Sequence, residues 1–419
     1  MSEADKAAVW LIALATAAGL LIRPLRLPEA IWAVAGAALT VLLGLVSLPT
    51  AAAAVGKGLD VYLFLFGMML LSEVARREGL FDAVAAFAVN RAKGSPRRLF
   101  LLVYAAGVGV TVFLSNDATA VVLTPAVFAA AKRARTDPLP HLFACALVAN
   151  AASFVLPISN PANLVLYGDH TPALGRWLAS FAVPSLLAIG ATYLGLKWAE
   201  RRGLGAACEA AVSQPRITRA GWTALAGLGC TVAGLLAVSA LDRPLGLPTA
   251  ILGTLTAAAV SITERRSPLR LLRGVSWSII PLVAGLFVLV EALGRTGLVG
   301  ALAGALARAA QASQTLAAAV AGALLALLCN LVNNLPAGLM ASAVSSHAQA
   351  PPRVVDALLI GVDLGPNLSV TGSLATILWL AAIRREGEDV GFWRFLKTGA
   401  VVAPPALVLA LAARMLMPG

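Results

Sequence analysis

An all-α polytopic membrane protein, with about ten transmembrane helices in two inverted-topology repeats, is the fold this sequence predicts. Three observations carry the prediction. The chain is 59% apolar and 12% charged, against roughly one quarter charged in soluble domains. About ten long apolar segments follow one another, and three sequence blocks recur in order in the second half of the 419 residues.

The apolar segments lie near residues 8–22, 29–49, 59–75, 140–168, 173–199, 220–240, 247–263, 275–293, 353–384 and 394–416. Each is about long enough to cross a hydrocarbon core of roughly 30 Å. The first follows Met1 to Lys6 without a basic leader or a small-residue cleavage site, so it is expected to remain as a span. Trp10, Trp32, Trp177, Trp198, Trp222, Trp277 and Trp393 fall at predicted span ends, where the amphipathic indole suits the headgroup region.

A net charge of +12 would fit a nucleic-acid partner only if it gathered on one face. Here the basic residues sit in short loops, so the charge reports topology and no nucleic acid is expected. With ten crossings, one side collects 24 lysines and arginines and the other 8. The positive-inside rule then makes the rich side cytoplasmic, with both termini outside an inner (plasma) membrane.

Glu73 to Leu80 recurs as Glu291 to Leu298, Phe113 to Asp117 as Asn330 to Asn334, and Leu147 to Tyr167 as Leu359 to Trp379. Five spans per copy is odd, so the second copy lies upside down relative to the first. The expected division is residues 1–200, a cytoplasmic linker 201–219, and 220–419. Between the third and fourth spans of each copy lies extra apolar sequence, 98–132 and 315–349, interrupted by Ser115-Asn116-Asp117 and by Asn333-Asn334-Leu335-Pro336. Irregular backbone at membrane depth is tolerated only against protein or a watery cavity. Both stretches therefore read as re-entrant hairpins, the first entering from the cytoplasm and the second from the periplasm. The fourth span of each copy is broken too, at Pro157 to Asn163 and at Gly365 to Ser373, since proline removes a donor and glycine unwinds cheaply.

Leu114-Ser-Asn-Asp-Ala-Thr-Ala-Val-Val-Leu-Thr-Pro125, Val332-Asn-Asn-Leu-Pro336, Gly361-Val-Asp-Leu-Gly-Pro366 and Gly372-Ser-Leu-Ala-Thr376 closely resemble the arsenical pump membrane protein (ArsB) family, part of a larger ion transporter superfamily. The resemblance runs nearly end to end. It implies efflux of arsenite and antimonite driven by proton entry, and it permits a separate ATPase subunit. The sequence departs from the family pattern at two positions: Asn150 stands where members often carry Asp, and Asn367 where they often carry Lys. If that Asp and Lys form a pair, neutrality at both positions avoids stranding a buried charge.

Arsenite near neutral pH is mainly As(OH)3, an uncharged triol-like solute that needs hydrogen bonds rather than a counter-ion. Asn116, Thr119, Asn160, Asn163, Asn333, Asn334, Thr371 and Ser373 supply amides and hydroxyls in the four breaks, where no Lys or Arg falls. The same residue types also cap broken helices. Asp117 and Asp363 are the carboxylates in or beside the breaks, and ionisable groups at this depth are costly enough to make proton coupling the expected role. Glu73 and Glu291 read as interfacial.

Cys145, Cys208, Cys230 and Cys329 are too scattered to chelate arsenic, and Cys329 lies one turn before the second hairpin tip. His141, His170 and His347 show no metal-ligand spacing. No phosphate-binding Gly-x4-Gly-Lys-Ser/Thr loop occurs, and no cofactor is expected. The competing readings are a sodium/proton antiporter and an exporter of another small solute, such as silicic acid or an organic anion. An intramembrane hydrolase would need a nucleophile and base at depth, for which only Asp117 and Asp363 offer a pair.

Overall fold

The structure is a computed structural model that describes residues 1–22, 27–168, 171–205, 208–209 and 211–417. His170, Arg23 and Arg26 lie outside the described residues. All regular structure among them is helical.

Two successions of helices match each other member by member. The first runs Glu3–Ile22, Glu29–Leu42, Leu48–Gly56, Leu59–Arg77, Leu80–Ala92 and Pro96–Phe113, then a helical arm over 116–133, then Leu139–Ala151, Pro161–Tyr167 and Leu174–Ala199. The second runs Arg219–Ala240, Gly246–Glu264, Leu269–Gly274, Ile279–Arg295, Leu298–Ala312, Gln314–Val332, Asn334–His347, Pro352–Leu364, Leu374–Arg385 and Phe392–Leu416. Packing follows the same symmetry. Glu29–Leu42 packs on Ile279–Arg295, and its counterpart Gly246–Glu264 packs on Leu59–Arg77, while the two long final helices of the successions pack on each other.

Close approach between helix backbones requires small residues at the crossings. A methyl group on Gly67 would stand 2.3 Å from the Thr249 carbonyl oxygen, and one on Gly361 would stand 2.3 Å from the Gly322 carbonyl. Any larger residue would push these helices apart.

Among the described residues six helices are long and apolar enough to cross a membrane, or up to eight if each of two bent pairs is one span. The shortfall from about ten has a physical reason. The segment read as one span over 29–49 folds as Glu29–Leu42 followed by the separate helix Leu48–Gly56. Leu48–Gly56 meets Leu59–Arg77 at 51°, and Ile279–Arg295 meets Leu298–Ala312 at 76°. Gly297, at φ 91°, makes the second of these bends, a left-handed conformation that glycine adopts without penalty. The spans expected over 140–168 and 353–384 are each two helices around an irregular break.

Loops assigned to one side by the basic-residue count meet one another. Lys132 pairs with Glu388 at 3.1 Å, Arg135 with Glu209 at 3.3 Å and Arg394 with Glu200 at 2.6 Å. From the other set, Lys57 pairs with Glu291 at 3.0 Å and Arg176 with Asp242 at 3.7 Å. None of the described ion pairs joins one set to the other. With the rich face cytoplasmic, cysteine labels at the 57 and 176 loops should react from outside, and labels near 93, 205 and 268 only from the cytoplasm. Reversed labelling would invert the orientation.

The tryptophans divide. Trp198, Trp222 and Trp393 are exposed, as expected of interfacial indoles, but Trp177 is wholly buried. Its indole N–H donates to the Phe154 carbonyl at 3.1 Å, which satisfies backbone freed by the first helix break rather than anchoring a span end.

Candidate functional site

The first hairpin tip is built on local capping. The Ser115 hydroxyl accepts the Ala118 N–H at 3.2 Å, and the Asn116 side-chain oxygen accepts the Asp117 N–H at 2.9 Å. Immediately after the tip the helix widens into a π turn, Thr119–Leu123, a distortion frequent at functional sites. The Thr119 and Thr111 hydroxyls share a hydrogen bond of 2.8 Å, and the Thr124 hydroxyl donates to the Thr119 carbonyl at 3.0 Å.

At the second tip Asn333 takes φ 75° and ψ 154°, outside the left-handed helical region and in one that is essentially glycine's, the kind of strained backbone that clusters at functional sites. Its side-chain oxygen accepts the Leu335 N–H at 3.3 Å and its amide N–H donates to the Thr371 carbonyl at 3.3 Å. The second tip is thereby tied to the second helix break. In that break the Ser369 hydroxyl donates to Asn330 Oδ1 at 2.8 Å, and the Thr371 hydroxyl donates to the Asn330 carbonyl at 3.3 Å.

The two broken helices are stitched together by buried side chains. Asn150 Nδ2 donates to Asn367 Oδ1 at 3.0 Å, and Asn367 Nδ2 donates to the Leu147 carbonyl at 3.0 Å. The two positions where family members often carry Asp and Lys are therefore in direct contact, and in this chain they form a neutral amide pair. The Ser373 hydroxyl caps the Thr376 N–H at 3.1 Å and donates to Asn150 Oδ1 at 3.2 Å. Asn160 Oδ1 caps the Ala162 N–H at 3.0 Å, and its amide N–H donates to Asp363 at 2.8 Å. Asn163 Nδ2 reaches three carbonyls, of Ser153, Leu156 and Pro157, at 2.9 to 3.3 Å.

A cavity of about 650 Å³ runs inward from the arginine-rich face. Arg76, Asp82, Arg385 and Glu386 stand on its exposed walls, while Ser115, Asp117, Ala118 and Pro161 line its inner part. Beyond it, between the tips, lies a space of about 10 Å³ bounded by Asn116, Asp117, Asn160, Pro161, Asn334 and Leu335, room for one water molecule. A second space of about 10 Å³ touches Asn333 from the opposite side, where Leu20, Leu282, Leu286, Leu335 and Ile377 close it in. Access to the tips is thus wide from one face and narrow on the other, where Glu29 also borders the small space.

Among the residues singled out from sequence, Asn116, Asp117, Asn160 and Asn334 gather around one space, with Asn333 on its far side. Thr119, Asn163, Thr371, Ser373 and Asp363 line none of these three cavities. Their side chains hold the tip and the breaks in shape.

Glu73, read from sequence as interfacial, has a role on the cavity wall that sequence alone does not show. It is buried, receives two hydrogen bonds of 2.8 Å from Arg76 and one of 2.5 Å from Arg77, and lies on the cavity wall. Its recurrence as Glu291 was the available signal. Asp82, in the first turn of Leu80–Ala92, and Glu386, just after Leu374–Arg385, were missed as well; charged residues at helix ends read from sequence only as solvated. His141, read as near a loop, is buried against Phe100. The four cysteines are free, with Cys145 and Cys329 buried and Cys230 exposed. Among the described residues no group of three or more His, Cys, Asp or Glu could hold a metal.

Comparison with known proteins agrees with this architecture. The crystal structure of the Alcanivorax borkumensis YdaH transporter superposes with a TM-score of 0.60 over 87% of this chain and 86% of that one, at 19% identity, which shows a shared fold. Arsenical pump membrane proteins of Yersinia enterocolitica and Escherichia coli (strain K12) are 26% and 27% identical, over 83% of either chain. An uncharacterized transporter of Mycobacterium tuberculosis is 27% identical over 84% of both chains. The citrate transporter family model, CitMHS, matches residues 10–363, and this chain of broken helices and paired hairpins belongs to that transporter family.

Proposed function

We propose that the protein exports arsenite and antimonite from the cytoplasm by proton antiport with alternating access, with both termini extracytoplasmic. The observation that carries this reading is the position of Asp117. It stands at the tip of the first hairpin, lining both the open cavity and the small space between the tips. Apart from Asp117 itself, the side chains around that inner space are amides and apolar groups, a set that suits an uncharged triol better than an anion.

The citrate transporters that give the family its name suggest a carboxylate substrate as the second reading. Charge weighs against it here. The cavity carries four carboxylates, Glu73, Asp82, Asp117 and Glu386, against the guanidiniums of Arg76 and Arg385, and Arg76 is already committed to Glu73. A low-dielectric cleft lined by excess negative charge repels an anion and concentrates protons. Coupling through Asp117 needs no nucleotide, so a separate ATPase subunit would be an addition to the carrier. The deciding experiment is arsenite accumulation in inverted membrane vesicles under an imposed proton gradient, with citrate and silicic acid as competing solutes. Uptake of citrate in place of arsenite would overturn the proposal.

Asn116→Ala and Asn333→Ala test the two tips separately. The first removes an amide oxygen that accepts the Asp117 N–H and the second one that caps the following helix, and the loss of a cap costs about 1 kcal/mol, small enough for insertion to survive. Export should fall to background in both variants at normal expression. Near-normal export in both would move the site elsewhere.

A further inference from the structure

We propose that a second cavity on the arginine-rich face binds the headgroup of an amino phospholipid, phosphatidylethanolamine in class, with Glu78 taking its ammonium and Arg270 its phosphate. This cavity shares no lining residue with the one that reaches Asp117, and the inference goes beyond the arsenite reading.

The second cavity holds about 260 Å³. It lies where Leu59–Arg77 and Gly246–Glu264 end and the short helix Leu269–Gly274 begins. Val260 and Leu271 form its apolar wall, and its charges are Arg77, Arg266 and Arg270 against Glu78 and Glu264. Three of these charges have partners. Arg77 donates to Glu73 at 2.5 Å and to the Arg270 carbonyl, and Arg266 pairs with Glu264 at 3.0 Å. What remains is one guanidinium and one carboxylate. The Arg270 side chain forms no ion pair among the described residues, and neither does Glu78, whose carboxylate accepts the Thr218 hydroxyl at 3.3 Å. Partial burial and the neighbouring Glu264 hold the Glu78 carboxyl above its ordinary range, so a cation beside it would relieve a repulsion.

An anion alone would bond Arg270 but face both carboxylates, and a cation alone would leave Arg270 unanswered. A zwitterion serves both ends of the cavity through charge-assisted hydrogen bonds. A primary ammonium brings three N–H donors to a carboxylate, whereas a quaternary ammonium brings none. The lipid as its carrier follows from the surroundings. Ile262 and Leu269, next in sequence to Ser261 and Arg270 of the cavity wall, are 77% and 63% exposed, and Trp277 is exposed nearby in the chain. Apolar side chains and an indole at the ends of spans mark headgroup level. Arg77 also connects this cavity to the transport route, because its partner Glu73 lies on the wall of the larger cavity.

The test uses the full-length protein purified in detergent and stripped of lipid, without arsenite. Phosphatidylethanolamine, phosphatidylcholine or phosphatidylglycerol with the same acyl chains is added in rising amounts, and the thermal unfolding midpoint is read together with bound lipid by native mass spectrometry. A ligand that binds the folded protein raises the midpoint. The expected result is a saturable rise with phosphatidylethanolamine, larger than with the other two lipids, and loss of that preference in Glu78→Gln and in Arg270→Gln. Both variants keep the Arg77 bonds to Glu73 and to the backbone of residue 270. Equal rises with all three lipids, or a larger one with phosphatidylglycerol, overturn the site. A preference that survives either substitution overturns that residue's role. Glycerophosphoethanolamine, the same headgroup without acyl chains, should act only weakly, and a rise as large as the lipid's overturns the lipid as the source. Should Glu78→Gln fail to fold, Arg270→Gln and the comparison of lipids decide by themselves. Because arsenite is absent, failure here leaves the Asp117 reading intact, and failure of arsenite export leaves this site intact.

Discussion

Asp117→Asn should abolish uphill arsenite export while downhill exchange of arsenite persists. The asparagine keeps the size of the side chain and one oxygen acceptor, so the cap formed by Ser115 and the hydrogen bond from the Asp117 N–H to Asn116 remain in place. What disappears is the ability to take a proton from one aqueous face and release it to the other. Asp117 meets the requirement of position, because it lines a cavity open to one face and also the space between the two hairpin tips. Shutting that cavity and opening the leucine-lined side near Asn333 would present the tip to the opposite solution. Protonation would neutralise the carboxylate during one passage, and the hydroxyls of the substrate would replace the proton's hydrogen bonds during the other. Carriage of a bare carboxylate through the closed state would cost at least ~2.5 to 3.5 kcal/mol, which couples the two fluxes. The measurement is arsenite flux in proteoliposomes with and without an imposed pH difference, together with proton movement upon arsenite addition. Unchanged uphill export and proton flux in the variant would remove Asp117 from the coupling step.

The elements that position this site were legible because their signals are local. Ser115-Asn116-Asp117 and Asn333-Asn334 interrupt apolar sequence, and the prolines and glycines of 157–163 and 365–373 cannot sit inside a regular helix, so both tips and both breaks could be read directly. The Asn150 and Asn367 pair was legible only as two departures from a family pattern, and its contact needed the fold. Helices Leu48–Gly56, Leu80–Ala92 and Leu298–Ala312 escaped the reading because each is short and adjoins a longer apolar helix, so hydropathy cannot separate them. The burial of Glu73, read as interfacial, was not legible for a tertiary reason. A glutamate at a span end usually reaches water, but here Gly274 packs directly on its carboxylate and two arginines close over it. Trp177 shows the same limit: an indole near a span end is interfacial or structural according to whether a freed carbonyl, here that of Phe154, lies within reach.

The largest effect on stability is expected from Asp356→Ala. Asp356 lies in the first turns of Pro352–Leu364 and Arg414 in the last turn of Phe392–Leu416; both are buried and their charges meet at 2.7 Å. Tyr167, the last residue of Pro161–Tyr167, donates its hydroxyl to the other Asp356 oxygen at 2.5 Å. The cluster therefore joins a half of each broken helix to the final helix of the chain. Burying two charges costs nearly what their attraction returns, so the pair itself adds little, but removing one partner strips the other of its compensation and costs about 3 to 5 kcal/mol. By the same reasoning a triple replacement, Asp356→Leu with Arg414→Met and Tyr167→Phe, should restore most of the lost stability, since the three partners are then removed together. The exposed pair between Lys57 and Glu291 gives the contrast, because Lys57→Ala should cost no more than about 1 kcal/mol. Thermal unfolding of the detergent-purified variants measures all three. If Asp356→Ala unfolds no earlier than Lys57→Ala, the cluster does not hold the broken helices, and the constraint on their geometry must come from the neutral Asn150, Asn367 and Ser373 network instead.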